Sequence, residues 1–239
     1  MPGSELGLSV GKWVLTGNPV RSVVRAGNAA RAVTRFGLSP ALPTVYVTGG
    51  AQGAHAVNEL VRGSVSDLLQ RVQLIHQCGD SSGTNEDYEA LLRRAYDLPT
   101  ALRERYVLMR YIGQEIGDVY AAADLVVGRA GAGTVNEIAV LRKPAVFIPL
   151  AHAANDEQRR NANRLAATGA AVVLDQAGLT PDRFSQEVVA LATDPERLAA
   201  MAASSVASGL PDPAEHIATL LLELAGVAPV AAAAPDRSL

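Results

Sequence analysis

Six short apolar runs, set apart by stretches of helical periodicity, decide what this chain of 239 residues can fold into. The runs are TVYVT (44–48), VQLIH (72–76), RYVLM (105–109), DLVVG (124–128), PAVFI (144–148) and AAVVL (170–174). Each is continuous rather than alternating, which is the pattern of strands covered on both faces. Helical spacing fills the gaps at 54–70, 85–96, 116–123, 134–142 and 156–168. In the last of these, Gln158, Asn161, Leu165 and Thr168 repeat at helical spacing, and Gly169 reads as the C-cap. Regular strand–helix alternation predicts an α/β fold: a Rossmann-like, doubly wound parallel sheet of about six strands.

The two ends of the chain read differently. Residues 181–193, 195–208 and 213–225 form successive helical patterns, the first opening with Thr180 as N-cap and Pro181 at the first helical position. The Pro/Ala-rich tail, 226–239, predicts disorder. The first 40 residues read as a strand (WVLTG, 13–17), then a helix, then a proline-bounded linker, and a Rossmann-like domain is expected over 41–225.

Composition narrows the function. A net charge of −3 gives no electrostatic case for nucleic acid or an anionic surface. One cysteine, Cys78, excludes a disulfide framework and a cysteine-rich zinc site, and suits a reducing compartment. The start of the chain lacks the basic–apolar pattern of a signal peptide, and no apolar run reaches a bilayer's thickness. The expected location is cytoplasmic.

In open parallel sheets, ligands bind beyond the carboxyl ends of the strands, so the loops there matter most. After 44–48 comes GGAQGA (49–54), whose Gly49, Gly50 and Gly53 allow a tight turn ahead of a helix. A helix N-terminus attracts phosphate, although such a turn also serves strand–helix packing alone. After 124–128 comes GRAGAGTVNE, with Gly131, Ala132 and Gly133 before Thr134, which either caps the helix or donates its hydroxyl. Glu137 lies one turn further on the same side. A carboxylate there can accept from vicinal ribose hydroxyls, or merely complement the helix dipole. After 144–148 the adjacent Glu157 and Gln158 suit sugar hydroxyls or a solvated first turn. After 105–109, Ile112 is a candidate for stacking on a planar base and for backbone hydrogen bonds to it, or is simply a packed loop residue. His76 and Cys78 are too isolated to hold a metal, which needs three or four convergent ligands. No metal or other cofactor is expected.

Six separated motifs, in this order, resemble the C-terminal half of MurG-type glycosyltransferases, family 28 of the GT-B architecture. They are GNPVR (17–21), GGAQGA (49–54), HQCG (76–79), 111–139, KPAVFIPL (143–150) and DEQRRNAN (156–163). The resemblance spans roughly residues 14 to 225 and implies one GT-B half-domain with extra C-terminal helices. It implies transfer of N-acetylglucosamine from UDP-N-acetylglucosamine to undecaprenyl-diphospho-muramoyl-pentapeptide. By that resemblance Gly50, Ala51, Gln52 and Gly53, with Gly131, Ala132, Gly133 and Thr134, face the diphosphate. Ile112 meets the uracil with Arg21 nearby, Glu137 holds the ribose, and Glu157 and Gln158 contact the sugar.

Two departures stand out. The family's usual serine is replaced by Ala51, removing one hydroxyl from the phosphate-facing turn. The family's N-terminal domain, which supplies the acceptor loop, the membrane contact and the catalytic base, lies outside this sequence. The resemblance therefore implies a partner domain or subunit for the lipid-linked acceptor, and peripheral attachment at the inner face of the plasma membrane when complete. No catalytic residue is assigned. Alternatives remain: a transferase using another nucleotide sugar, to which Ala51 points; a nucleotide-sugar binding module; and a hydrolase, for which His55, His76 and His152 are the candidate bases.

Overall fold

A computed structural model describes residues 14–79, 86–151, 154–205 and 213–226. The chain divides into two compact units, one of Arg21–Ala207 and one of Met1–Val20 with Ser208–Leu239.

In the larger unit the six apolar runs form the strands β1 (Thr44–Thr48), β2 (Gln73–Gln77), β3 (Tyr106–Met109), β4 (Leu125–Gly128), β5 (Ala145–Phe147) and β6 (Ala171–Val173). All pairs are parallel, in the order β3-β2-β1-β4-β5-β6. The interior strands β1, β2, β4 and β5 are buried along their whole length, as continuous apolar runs require. The edge strands β3 and β6 are partly exposed.

The order reverses direction between β1 and β4, so a crevice opens beyond their carboxyl ends. The two strands meet closely there. A side chain on Gly128 would bring its Cβ to 2.2 Å from the Thr48 carbonyl oxygen.

The helices before and around the sheet are α1 (Ser22–Arg25), α2 (Ala29–Phe36), α3 (His55–Leu69), α4 (Asp87–Tyr96), α5 (Thr100–Arg103) and α6 (Ile116–Ala122). They are followed by α7 (Ala132–Leu141), α8 (Glu157–Ala166), α9 (Pro181–Ala192) and α10 (Pro195–Ser204). The core joins the i, i+4 face of α3 (Val57, Val61, Val65) to Phe184, Val188 and Leu191 of α9 and to strand residues Val45, Val47 and Leu74. Thr180 caps α9 by accepting from Arg183 N–H at 3.3 Å, with Pro181 opening the helix, as the sequence predicts. α2 is tied to α6 by Asp118, which accepts from Asn28 N–H at 2.8 Å and from Arg31 at 2.7 and 2.9 Å.

Several expectations change. The described part of WVLTG, residues 14–17, is not a strand. α5 has no counterpart in the sequence reading. α7 begins two residues early, at Ala132, with Gly131 as N-cap, so Thr134 does not cap it. α8 ends at Ala166 with Ala167 as C-cap; Gly169 takes up its left-handed φ of 88° two residues later. The tail after Gly226 lies outside the described residues. In the smaller unit, α11 spans Pro213–Leu224, close to the expected 213–225.

Candidate functional site

The glycine turn after β1 is built by backbone necessity. Gly50 and Gly53 have φ of 82° and 80°, a region costly for side chains bearing Cβ. At Gly53 a Cβ would also lie 2.1 Å from the Cys78 carbonyl oxygen. Gly53 N–H donates to the Gly50 carbonyl at 3.1 Å, closing the turn, and the chain enters α3 directly at Ala54. No side chain caps α3, and none caps α7. Both helices follow strands whose carboxyl ends flank the crevice between β1 and β4, and the uncapped first turn of α7 lines it through Gly133 and Thr134.

Gly131 and Gly133 differ from the first pair. A Cβ on either would meet nothing within 4 Å, and neither has a positive φ. Folding does not demand glycine here; its effect is to leave the space beside α7 empty.

The crevice is a cleft of roughly 270 Å³. Of the residues singled out in the sequence, it gathers Arg21, Gly50, Ala51, Ile112, Gly133, Thr134 and Glu137. Gln52, Gly53, Gly131 and Ala132 belong to the two turns but do not line it, and neither do Glu157 and Gln158 at the start of α8. Glu157 is exposed, and the Gln158 side-chain oxygen accepts from Leu150 N–H at 3.0 Å, which leaves its Nε2 to donate elsewhere. Just before α8, Asn155 and Asp156 both adopt left-handed φ, near 53° and 54°. This is a strained junction that Asn and Asp tolerate best.

Glu137 is the cleft's acid. Its Oε2 accepts from the Tyr120 hydroxyl at 2.9 Å, and its Oε1 lies 3.5 Å from Arg21 Nη2. Burial pushes the Tyr120 phenol well above its usual range, so it remains a donor. The Ile112 side chain is buried, while among the described residues its backbone N–H and C=O take no hydrogen-bond partner. They are therefore available to a planar ring.

The sequence reading did not single out Tyr46, Thr48, Gln77, Tyr111, Ile116 or Tyr120, which complete the lining. Thr48 and Gln77 carry a usable signal, since they end β1 and β2 at the carboxyl edge. Tyr46 and Tyr120 carry none; they read as core aromatics, and they are almost fully buried.

Behind the glycine turn lies a buried polar network. The Asn58 amide nitrogen donates to the Cys78 carbonyl at 2.9 Å and to Asp87 at 2.7 Å. Its oxygen is then left to accept from His76 Nε2 at 3.0 Å, and His76 Nδ1 accepts from the Tyr106 hydroxyl at 2.9 Å. This assignment makes His76 neutral, and burial pushes its pKa down to about 3. His76 is closed to substrate and cannot serve as an accessible base. His55 Nδ1 sits 2.6 Å from Asp87, and His152 lies outside the described residues. Among the described residues, ligand atoms of His55, Glu59 and Asp87 fall within 4.8 Å of one another. Each already has a protein partner: Glu59 takes Arg62 at 2.5 and 2.8 Å, and Asp87 takes His55 and Asn58.

Comparison with known proteins agrees with this architecture. The glycosyltransferase family 28 C-terminal domain matches residues 44–217. A UDP-N-acetylglucosamine--N-acetylmuramyl-(pentapeptide) pyrophosphoryl-undecaprenol N-acetylglucosamine transferase of Corynebacterium efficiens is 36% identical over 227 residues, covering 95% of this chain and 57% of its own. The protein of the same description from Acidothermus cellulolyticus is 39% identical over 207 residues, covering 86% and 54%. The crystal structure of Acinetobacter baumannii MurG superposes with a TM-score of 0.65 at 27% identity, over 85% of this chain and 55% of that one. The chain thus spans about half the length of the curated relatives it matches.

Proposed function

The chain belongs to the glycosyltransferase family 28 C-terminal domain family, and from this we propose that it is the donor-binding half of an inverting transferase. The reaction moves N-acetylglucosamine from UDP-N-acetylglucosamine to undecaprenyl-diphospho-muramoyl-pentapeptide, in keeping with the names of its relatives. One observation carries the reading: the glycine turn before α3, the uncapped start of α7, a fixed carboxylate and a free backbone edge converge on one cleft at the sheet's switch point. In this reading the amides of Ala51 and Gln52, which the turn's own hydrogen bonds leave uncommitted, and those of the start of α7, with Thr134, receive the diphosphate. Glu137 accepts from the ribose hydroxyls, and the Ile112 backbone meets the uracil beside Arg21. Glu157 and Gln158 face the sugar across the carboxyl edge of β5.

Chemically, these groups stabilise a leaving diphosphate. As the bond from the anomeric carbon to the phosphate oxygen breaks, negative charge grows on UDP. Fixed amide dipoles take it up without reorganising, which is why no metal is invoked. The acceptor and the base that deprotonates it are assigned to the portion of the relatives' length that this chain does not span. In this reading the complete protein works in the cytoplasm, peripheral to the inner face of the plasma membrane. Among the described residues no helix is long and apolar enough to cross a membrane.

Calorimetric titration with UDP, UDP-N-acetylglucosamine and UDP-glucose tests the reading. Binding of UDP, with preference for the N-acetylglucosamine donor, is expected. No binding of UDP at millimolar concentration would refute the donor cleft. Preference for another sugar would favour the second reading, to which the methyl of Ala51 in place of a hydroxyl points.

A further inference from the structure

We propose that Gln77 and Tyr120 are positioning residues that divide the cleft into two independently set halves. Gln77 fixes the glycine turn facing the diphosphate, and Tyr120 fixes the carboxylate facing the ribose. The inference rests on the donor-cleft reading above.

Gln77 ends β2, is 5% exposed, and uses both ends of its amide. Its Nε2 donates to the Gly50 carbonyl at 3.0 Å, and its Oε1 accepts from the Tyr46 hydroxyl at 3.2 Å. Gly50 is also held from its other side, because its N–H donates to Thr48 Oγ1 at 3.0 Å. Thr48, Gly50, Gln77 and Tyr46 thus belong to one hydrogen-bonded circuit. Both peptide groups of Gly50, at φ of 82°, are therefore pinned from beneath the turn. The direction of the amides of Ala51 and Gln52 is inherited from that pinning and from the Gly53 N–H that closes the turn on the Gly50 carbonyl at 3.1 Å. An amide is needed at 77 because it must accept from one neighbour and donate to the other; an ionised carboxylate can only accept.

Tyr120 does the parallel work for Glu137. Its hydroxyl donates to Oε2 at 2.9 Å from a ring that is 2% exposed. The Tyr46 ring packs edge-on against it, centroids 5.4 Å apart at 90°, and blocks the swing of the phenol. Arg21 offers no comparable restraint; its side chain is 59% exposed and reaches Oε1 only at 3.5 Å. Among the described residues no hydrogen bond joins the two systems, which touch through this ring contact, so removing a hydrogen bond from one leaves those of the other in place.

Titration of the whole chain with UDP, uridine and 2′,3′-dideoxyuridine diphosphate separates the halves. Gln77→Glu keeps the acceptor for Tyr46 but sets a carboxylate against the Gly50 carbonyl. It is expected to weaken both diphosphates by about tenfold and to leave uridine within about twofold. Tyr120→Phe keeps the ring and is expected to weaken UDP and uridine alike, by roughly three- to tenfold, with the dideoxy diphosphate unchanged. Thr48→Val, which removes the acceptor for Gly50 N–H from the same circuit, is expected to repeat the Gln77→Glu pattern and stands in if that variant fails to fold. Equal losses for all three ligands, or no loss in either variant, would overturn this inference while wild-type UDP binding still upheld the donor cleft. A wild-type chain that does not bind UDP overturns both.

Discussion

Glu137 suits its proposed role because its neighbours leave it capacity. Each carboxylate oxygen can accept more than one hydrogen bond, and the Tyr120 hydroxyl occupies only one position on Oε2. Glu137→Ala is therefore expected to weaken UDP binding by about 2 kcal/mol, the scale of charge-assisted hydrogen bonds, in a calorimetric titration. Unchanged affinity would show that the ribose lies elsewhere. Ala51→Ser adds a hydroxyl to an exposed position of the turn and is expected to strengthen UDP binding by about 1 kcal/mol. His76 makes a prediction about pH. Its pKa in the fold is about 3, against an ordinary value of 6.5, so the unfolded chain binds the proton more readily. Stability from this residue is complete above pH 6.5 and falls as pH drops toward 3. The slope approaches about 1.4 kcal/mol per pH unit, and urea titrations between pH 6.5 and 4.5 should show it lost in His76→Asn. At this scale position after a strand was enough to place Glu137, Ile112, Gly50 and Ala51 at one cleft, whereas Glu157 and Gln158, singled out by the same reasoning, do not line it. Tyr46 and Tyr120 were hidden, because their polar partners lie 31 and 17 residues away and nothing local distinguishes them from core aromatics.

Elements were legible because the hydrophobic period changes sharply between strand and helix, and every one of the six strands falls within two residues of its apolar run. The failures are local and share a cause. GAG at 131–133 reads as loop, yet Ala132 and Gly133 already belong to α7, since a first helical turn tolerates glycine where no side chain is needed. The strand expected at WVLTG rested on apolar content alone, and content does not supply a pairing partner. The two kinds of glycine separate stability from binding. Gly53→Ala forces a Cβ into a φ of 80° and within 2.1 Å of the Cys78 carbonyl, so it should lower the urea midpoint by the equivalent of about 2 kcal/mol or more. Gly133→Ala meets nothing within 4 Å and improves helix propensity, so stability should hold or rise by up to about 1 kcal/mol. Its methyl enters the cleft, however, and UDP affinity should fall. A Gly133→Ala chain that binds UDP as well as wild type would remove α7 from the diphosphate site.

At the scale of the whole molecule, the ligand site and the fold are thermodynamically linked. A diphosphate that binds the folded sheet and not the unfolded chain stabilises it by mass action, by about 2.7 kcal/mol at a hundredfold excess over Kd. For a chain of this size that corresponds to a rise in Tm of roughly 5–10 °C. The rise tests where the charge of the donor is compensated. If amide dipoles of the 50–53 turn and the start of α7 provide it, the UDP-induced rise should persist in a metal chelator. If a divalent ion must bridge the diphosphate, the chelator should abolish the rise and magnesium should restore it. The cleft's own charges favour the first outcome. Its cation, Arg21, faces Glu137 rather than standing free, so the remaining positive potential comes from the amides of the glycine turn and of the uncapped start of α7. Such fixed dipoles are strongest where water is excluded. A donor enclosed between this cleft and an acceptor-binding partner would therefore be held more tightly than one on this unit alone. Adding the acceptor portion of a relative in trans should accordingly raise UDP affinity as well as produce glycosyl transfer; transfer without any gain in affinity would mean that the partner brings the acceptor and leaves the donor's surroundings unchanged.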